Sequence, residues 1–208
     1  MLLIGMFDSP FVRRVAISMK LLGVSFEHAN WSVGKDFDRI REYNPLGRVP
    51  TLVLDNGDSL FESSAILDYL DDQAGSERAL LPRSGQLRRE ALKLMATAVG
   101  AAEKGVTQIY ERAFRPAEKV HQPWLDRCRS QMLGALAELE KHAITRKSEW
   151  LLTDNMLQPD ITAACVFTFL TDAVKVDAAA FPALKILVGR CEAMSIFQET
   201  RLAFFTPS

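Results

Sequence analysis

The chain has 208 residues, of which 48% are hydrophobic and 25% charged, as is typical of a soluble globular protein. Its 25 basic and 26 acidic residues give a formal net charge of −1, so no charge excess indicates nucleic acid or an anionic membrane as a partner. The apolar start lacks a basic segment and meets Asp8 before reaching the length of a signal peptide. With no run of about 18 apolar residues, we expect a cytoplasmic protein that does not span a membrane.

Cysteine and histidine spacing predicts neither disulfide bonds nor a metal site. The 3 cysteines (Cys128, Cys165 and Cys191) are an odd number, are widely spaced and form no CxxC pair. We predict that all of them are buried, inert thiols in a reducing compartment. The 3 histidines are scattered without the spacing of metal ligands, so we expect no metal.

Strand and helix patterns alternate in the first third of the chain. The predicted order is a strand at 2–7, a helix from Phe11 to Gly23, a strand at 25–31, a polar helix or loop at 35–43, strands at 51–54 and 59–61, and a helix at 65–70. The last two strands flank Asn56-Gly57, which favours a hairpin with a type I′ turn.

Only helical patterns follow a linker rich in Gly, Ser and Pro at 73–86. Apolar residues at three-to-four spacing predict long helices over 87–109 and 124–139, and the apolar segment 160–174 predicts a central buried helix. Pro182 is predicted to occupy the first turn of a final helix. We therefore predict two domains, an α/β domain at residues 1–76 and an all-helical domain at residues 86–208.

Two motifs of the first domain favour a small zwitterionic peptide as ligand. Pro50 opens a strand without an N–H to donate, which leaves an edge where a peptide can pair with the backbone of Val49. Glu62 and Ser63 combine a carboxylate and a hydroxyl at a helix start, where anions bind. An ordinary helix cap is the alternative for Glu62-Ser63. The combination suits glutathione.

A third motif, Ser9-Pro10, lies between the first strand and the first helix. A hydroxyl there can donate to a thiolate and, with the helix dipole, lower the pKa of the thiol. The same dipeptide is also the ordinary pattern of an N-cap followed by proline. Ser9 is thus predicted either to activate a thiol or only to cap the helix.

In their order and spacing these motifs resemble those of the cytosolic glutathione transferases, which have a thioredoxin-like N-terminal domain followed by an all-helical domain. Ser-Pro-Phe-Val-Arg-Arg at residues 9–14 is similar to the serine-type bacterial members. The resemblance implies a homodimer with glutathione as cosubstrate. It also implies these roles: Ser9 hydrogen-bonds the glutathione sulfur, the backbone of Val49 pairs with the cysteinyl part, Pro50 is cis, and Glu62 and Ser63 hold the γ-glutamyl group.

Two departures from the family pattern have predicted consequences. Position 9 is Ser rather than Cys, which argues against a reductase that forms mixed disulfides. Leu157 stands three residues before Asp160, where the family usually has a Ser or Thr that caps the helix. Loss of that hydroxyl is expected to cost about 1 kcal/mol of stability, although Asp160 can still bond the helix start.

The second substrate is predicted to bind beside Ser9, between the domains. The candidate wall of this pocket consists of aromatic residues: Phe7, Phe11, Tyr110 and Phe114. The alternative for these residues is ordinary core packing. Arg112 is a candidate anion contact. Arg13 and Arg14 are candidates for steering the carboxylates of glutathione, or for a solvated or interface role.

The predicted function is that of a detoxifying glutathione transferase, in which the thiolate of glutathione attacks an electrophilic small molecule or a peroxide. Two alternatives stay open from the sequence. One is a glutathione-dependent isomerase or dehalogenase that uses the same site, and the other is a non-catalytic binding protein with this fold.

Overall fold

The computed structural model describes residues 1–206, in which a four-stranded sheet and its helices precede an all-helical half. The strands are β1 (Leu2–Ile4), β2 (Glu27–Ala29), β3 (Thr51–Val53) and β4 (Ser59–Phe61). They lie in the order β2-β1-β3-β4, with β1 parallel to β2 and antiparallel to β3, and β3 antiparallel to β4. The predicted thioredoxin-like sheet domain followed by helices is confirmed.

Eight helices accompany the sheet within residues 1–206. They are α1 (Pro10–Leu21), α2 (Phe37–Arg41), α3 (Ser63–Ala74), α4 (Gly85–Ala113), α5 (Gln122–Thr145), α6 (Gln158–Ala173), α7 (Pro182–Glu192) and α8 (Ser195–Gln198). Local signals explain several boundaries: Pro10 and Pro182 stand in the first turns of α1 and α7, where a missing N–H is harmless. Gly23 follows α1 with φ +69°, a conformation that glycine adopts without strain. No helix in the described part of the chain is both long and apolar enough to cross a bilayer.

The hairpin between β3 and β4 forms as predicted, but the prediction of a type I′ turn is wrong. That turn requires positive φ at both central residues, and only Gly57 has it, at +90°. Instead, the side-chain oxygen of Asn56 accepts the N–H of Asp58 at 3.0 Å, and the N–H of Leu54 donates to the carbonyl of Asp58 at 2.8 Å. The N–H of Gly57 also donates to the carbonyl of Leu54 at 3.0 Å, so a backbone turn closes a loop of three residues and the side chain of Asn56 adds a bond within it.

Helix α1 lies between two apolar cores. Its Val12 and Val15 pack with the sheet and α3, together with Leu52 and Ile66. On the helical side, Phe11 and other residues join the core around α6, which is buried on nearly every side. The three cysteines are buried, as predicted. Because α1 contacts both cores, its N-terminal end is held where the two halves of the chain meet.

Asp160 supplies the side-chain cap at the start of α6, where the N–H of Gln158 also donates to the carbonyl of Leu80 at 2.8 Å. Its fully buried carboxylate accepts the N–H of Leu157 at 2.9 Å and the N–H of Leu151 at 2.8 Å. Burial raises the pKa of Asp160, while these two hydrogen bonds act in the opposite direction. Leu157 occupies the N-cap position and has no side-chain oxygen, so only one half of a capping box is present.

Replacing Leu157 by Thr is expected to raise the free energy of unfolding by about 1 kcal/mol, because the new hydroxyl can accept the N–H of Asp160. Urea unfolding measures the change. Leu202→Thr is a control that makes the same replacement at a half-exposed position outside any helix, and it should change stability by less than about 0.5 kcal/mol. An unchanged or lower stability of Leu157→Thr would contradict the capping argument.

Candidate active site

A cavity of about 730 Å³ opens between the sheet half and the helical half, at the N-terminal end of α1. The sheet half contributes the turn before α1 and the loops after β2 and before β3. The helical half contributes the C-terminal part of α4, one residue of α6 and the end of the chain. The residues in its wall include Ser9, Phe11, Arg48, Val49, Tyr110 and Phe114.

Ser9 lines this cavity and also caps α1. Its side-chain oxygen accepts the N–H of Val12 at a long 3.5 Å, and its backbone is extended, as an N-cap requires. A serine hydroxyl that accepts a hydrogen bond still has its own hydrogen to donate. The capping role is therefore observed, and the hydroxyl hydrogen stays available for an anion at the positive end of α1.

The Val49–Pro50 peptide bond is cis, and Val49 lies at the cavity wall. Neither the N–H nor the carbonyl of Val49 bonds to another residue within 1–206. Asn44, for which the sequence patterns predicted no role, fixes this loop: its side-chain amide donates to the carbonyl of Arg48 at 2.9 Å and to the hydroxyl of Thr51 at 3.1 Å. The Asn-Pro pair before the strand was the available sequence signal.

Glu62 and Ser63 lie at the start of α3, next to the cavity rather than in its wall. Glu62 has φ +67°, in the left-handed region that non-glycine residues seldom occupy and that occurs often at functional sites. Its carboxylate pairs with Arg48 at 3.2 Å, and Arg48 also pairs with Glu103 of α4 at 3.0 Å. Arg48, which lines the cavity, thus connects the Glu62-Ser63 corner to the helical half.

Neither Arg13 nor Arg14 is free to steer a ligand from the surface. Arg13 is 3% exposed and holds both carboxylate oxygens of Glu192 at 2.7 Å. Arg14 is 0% exposed and donates to the hydroxyls of Ser63 and Thr162. The predicted solvated role is wrong, because acceptors that are distant in sequence surround both guanidinium groups.

Three of the four predicted aromatic residues line the cavity. They are Phe11, Tyr110 and Phe114, and the last two meet edge to face with 5.1 Å between ring centroids. Burial raises the pKa of Tyr110, so its hydroxyl is neutral at pH 7. Phe7 does not line the cavity, since its ring stacks on His28 with 3.9 Å between centroids.

Arg112, the predicted anion contact, also lies outside the cavity wall. It is exposed and donates to the carbonyl of Gln108 at 3.0 Å. Residues two apart on a helix face in different directions, so Arg112 cannot share the face of Tyr110. The anion contact proposed from the sequence is therefore wrong.

Residues 204 and 205 supply walls that the sequence did not reveal. Phe204 packs edge to face on Phe169, and the N–H of Phe205 donates to the carboxylate of Asp8 at 3.1 Å. Burial raises the pKa of Asp8, opposed by hydrogen bonds that include the one from Phe205. The remaining aromatic walls are Trp31 and Phe37. Eight of the residues that line the cavity are thus aromatic, and Ser9 lines it with them.

Comparison with known proteins gives consistent matches. Residues 3–78 match the family model described as Glutathione S-transferase, N-terminal domain. The uncharacterized GST-like protein YibF of Escherichia coli (strain K12) is 31% identical over 170 residues, which are 82% of this chain and 82% of that protein.

Two solved structures are similar over nearly the whole chain. One is a glutathione S-transferase from Methylobacterium radiotolerans JCM 2831 in complex with glutathione sulfonate, with TM-score 0.92, 29% identity, and coverage of 100% of this chain and 97% of that one. The other, a glutathione transferase family member from Pseudomonas fluorescens Pf-5 with bound glutathione, has TM-score 0.86, 31% identity, and coverage of 98% and 99%. With the fold, the cavity and these matches in agreement, the chain belongs to the glutathione S-transferase family.

Proposed function

We propose that this protein is a serine-type glutathione transferase, in which Ser9 stabilises the thiolate of bound glutathione for attack on an electrophilic substrate. The observation that carries the proposal is the Ser9 hydroxyl, placed at the cavity wall and at the N-terminus of α1 with its hydrogen available. The glutathione bound in the similar Pseudomonas fluorescens structure supports the choice of cosubstrate.

The proposed binding of glutathione uses three neighbouring elements. The backbone of Val49, which has no partner within residues 1–206, pairs with the cysteinyl unit in the manner of a strand. The carboxylate of Glu62, which also pairs with Arg48, takes the ammonium of the γ-glutamyl group. The hydroxyl and N–H of Ser63, at the start of α3, bind the γ-glutamyl carboxylate.

In the proposed reaction the thiol of glutathione loses its proton to solvent, and the Ser9 O–H donates to the resulting thiolate. The sulfur lone pair then forms a bond to an electrophilic carbon, while a leaving group departs with its electron pair or, in an addition, the substrate takes a proton from water. With a hydroperoxide, the sulfur attacks the terminal oxygen, the O–O bond breaks, and the departing alkoxide takes a proton from water, which leaves glutathione as its sulfenic acid. A second glutathione then forms the disulfide and releases water. Ser9 forms no covalent bond, because a donor to sulfur is sufficient.

We further propose that the two halves of the chain bind different substrates. Residues 1–76 bind glutathione, and residues 86–208 complete the wall for the electrophile with α4, Phe169 and residues 204–205. The aromatic side chains of Phe11, Tyr110 and Phe114 favour an apolar second substrate. A detoxifying homodimer in the cytoplasm is the assembly and setting that the family resemblance implies.

Retention on immobilised glutathione tests the binding site. Glu62→Ala and Ser63→Ala are each expected to weaken retention strongly, since each removes a partner of a charged ligand group, worth about 1.5–3 kcal/mol. Glu149→Ala is the matched control, because Glu149 is similarly exposed and also pairs with an arginine, Arg190, at 3.4 Å. Retention that is equal in all variants would contradict the assignment of Glu62 and Ser63.

Retention on glutathione and turnover of electrophilic substrates together separate the alternative functions. A non-catalytic protein with this fold would show no turnover with any electrophile, even if it binds glutathione. A glutathione-dependent isomerase or dehalogenase would bind glutathione but act on one metabolite class only. A panel of conjugation, peroxidase and isomerase substrates therefore distinguishes these functions.

A further inference from the structure

Asp8, the residue before Ser9, is a half-buried carboxylate in the wall of the cavity. One of its oxygens accepts the N–H of Phe205 at 3.1 Å. No Lys, Arg or His within residues 1–206 forms an ion pair with it. Burial without a counter-charge disfavours the ionised carboxylate and raises its pKa. A cation inside the cavity would therefore stabilise the ionised form of Asp8.

The basic residue of the wall, Arg48, is already paired. Its guanidinium lies 3.2 Å from the carboxylate of Glu62 and 3.0 Å from that of Glu103. The carboxylates of Asp8, Glu62 and Glu103 thus share a single guanidinium. Bound glutathione adds two carboxylates and a thiolate against one ammonium, so it makes the charge around the cavity more negative. A positively charged second substrate is therefore favoured over an anionic one.

Aromatic rings surround the same space. Eight aromatic side chains line the cavity, and the faces of such rings attract cations. One contact of this kind is present beside Asp8, since Nζ of Lys35 lies 5.7 Å from the centre of the Phe205 ring. Lys35 itself is not part of the wall. The wall thus combines a carboxylate with aromatic rings, as in sites that bind quaternary ammonium ions.

We propose that the second substrate of this site is an electrophile that carries a quaternary ammonium or pyridinium group. This inference rests on the proposed function and names the substrate class. Such a group matches both features of the wall, because its methyl or ring carbons pack against aromatic side chains while its charge attracts the carboxylate of Asp8. The opposite charges of this substrate and of the glutathione thiolate also favour their approach.

Calorimetric binding of two glutathione conjugates tests the inference. One carries a trimethylammonioethyl group on sulfur, and the other carries the neutral tert-butylethyl group of the same shape. Wild type is expected to bind the cationic conjugate about fivefold more tightly than the neutral one. In Asp8→Asn the amide oxygen can still accept the N–H of Phe205. This variant should weaken the cationic conjugate about tenfold and leave the neutral one within about twofold.

Asp71→Asn is the matched control. Asp71 is also half-buried and accepts backbone N–H groups, from Leu80 and Leu81, but it lies outside the cavity wall. Because this variant removes the same charge away from the cavity, both conjugates should bind within about twofold of their wild-type affinity.

Phe205→Leu tests the aromatic part of the wall separately. It keeps the N–H that donates to Asp8, and it should weaken the cationic conjugate about threefold more than the neutral one. An equal effect on both conjugates would contradict the role of the ring. If Asp8→Asn does not fold, this comparison tests the inference in its place.

Unmodified glutathione, measured alongside, separates this inference from the proposed function. If Asp8→Asn weakens both conjugates equally, Asp8 acts only on the fold and the inference is overturned. If wild type binds glutathione but shows no preference for the cationic conjugate, the inference alone fails. If wild type binds neither glutathione nor the conjugates, the proposed function fails together with it.

Discussion

Replacing Ser9 by Ala is expected to lower the thiolate fraction of bound glutathione at pH 7 about tenfold to hundredfold, and kcat/KM by a similar factor. A hydrogen bond to a charged group is worth about 1.5–3 kcal/mol, and its loss raises the pKa of the bound thiol. The glutathione Kd should change little, because Val49, Glu62 and Ser63 are unaffected. The ultraviolet absorbance of the thiolate, titrated against pH in wild type and variant, measures the effect directly.

A loss of folding stability in Ser9→Ala would not by itself lower the thiolate fraction of bound glutathione. Ser9→Ala also removes the cap of α1, which costs about 1 kcal/mol, so the variant should unfold at slightly lower urea concentration. Ser9→Thr keeps both the cap oxygen and the donor, and it should retain most of the thiolate. An identical thiol pKa in wild type and Ser9→Ala would mean that Ser9 is a helix cap only.

Replacing Glu192 by Gln is expected to lower the free energy of unfolding by roughly 3 kcal/mol, because it leaves the charge of Arg13 buried without its partner. The carboxylate of Glu192 is 23% exposed and also accepts the hydroxyl of Thr168 at 2.7 Å. Glu199→Gln is the control: Glu199 is 57% exposed in its pair with Lys20, so its loss should cost less than about 1 kcal/mol. Urea unfolding of the variants at pH 7 measures both values.

The same pair gives a pH dependence of defined sign. Burial by itself raises the pKa of Glu192, but the hydrogen bonds from Arg13 and Thr168 outweigh it and hold the pKa below its ordinary value of 4.5. The ion pair therefore contributes fully above about pH 4.5, and its contribution disappears as the pH falls through the lowered pKa. The stability difference between wild type and Glu192→Gln should shrink in that range. A difference that stays constant down to pH 3 would contradict this assignment.

The sequence alone predicted the elements whose signals are local. Proline in a first turn, glycine after a last turn and apolar spacing depend on residues a few positions apart, and the helices α1, α4, α6 and α7 follow them. The order of Ser9, Val49-Pro50 and Glu62-Ser63 likewise needed no tertiary information to indicate the family. The turn between β3 and β4 was wrong in type because the loop closed by Leu54 and Asp58 has three residues rather than two, with positive φ at Gly57 but not at Asn56.

The errors at the site concern side chains whose partners are far away in the chain. A solvated role was one alternative for Arg13 and Arg14, but their partners Glu192 and Thr162, more than a hundred residues away, make burial possible. Phe7 lies outside the cavity wall because its ring stacks on His28. Arg112 lies outside it because its side chain points away from the face of α4 that carries Tyr110.

What the sequence determined, then, is the fold, the family and the residues that are candidates for holding glutathione. What only the tertiary structure decided is the wall of the cavity and the charge behind Ser63. Phe204 and Phe205 reach the cavity because Phe205 bonds to Asp8, a contact between residues 197 positions apart. Contacts of that kind depend on packing of the whole molecule, which no local pattern of residues records.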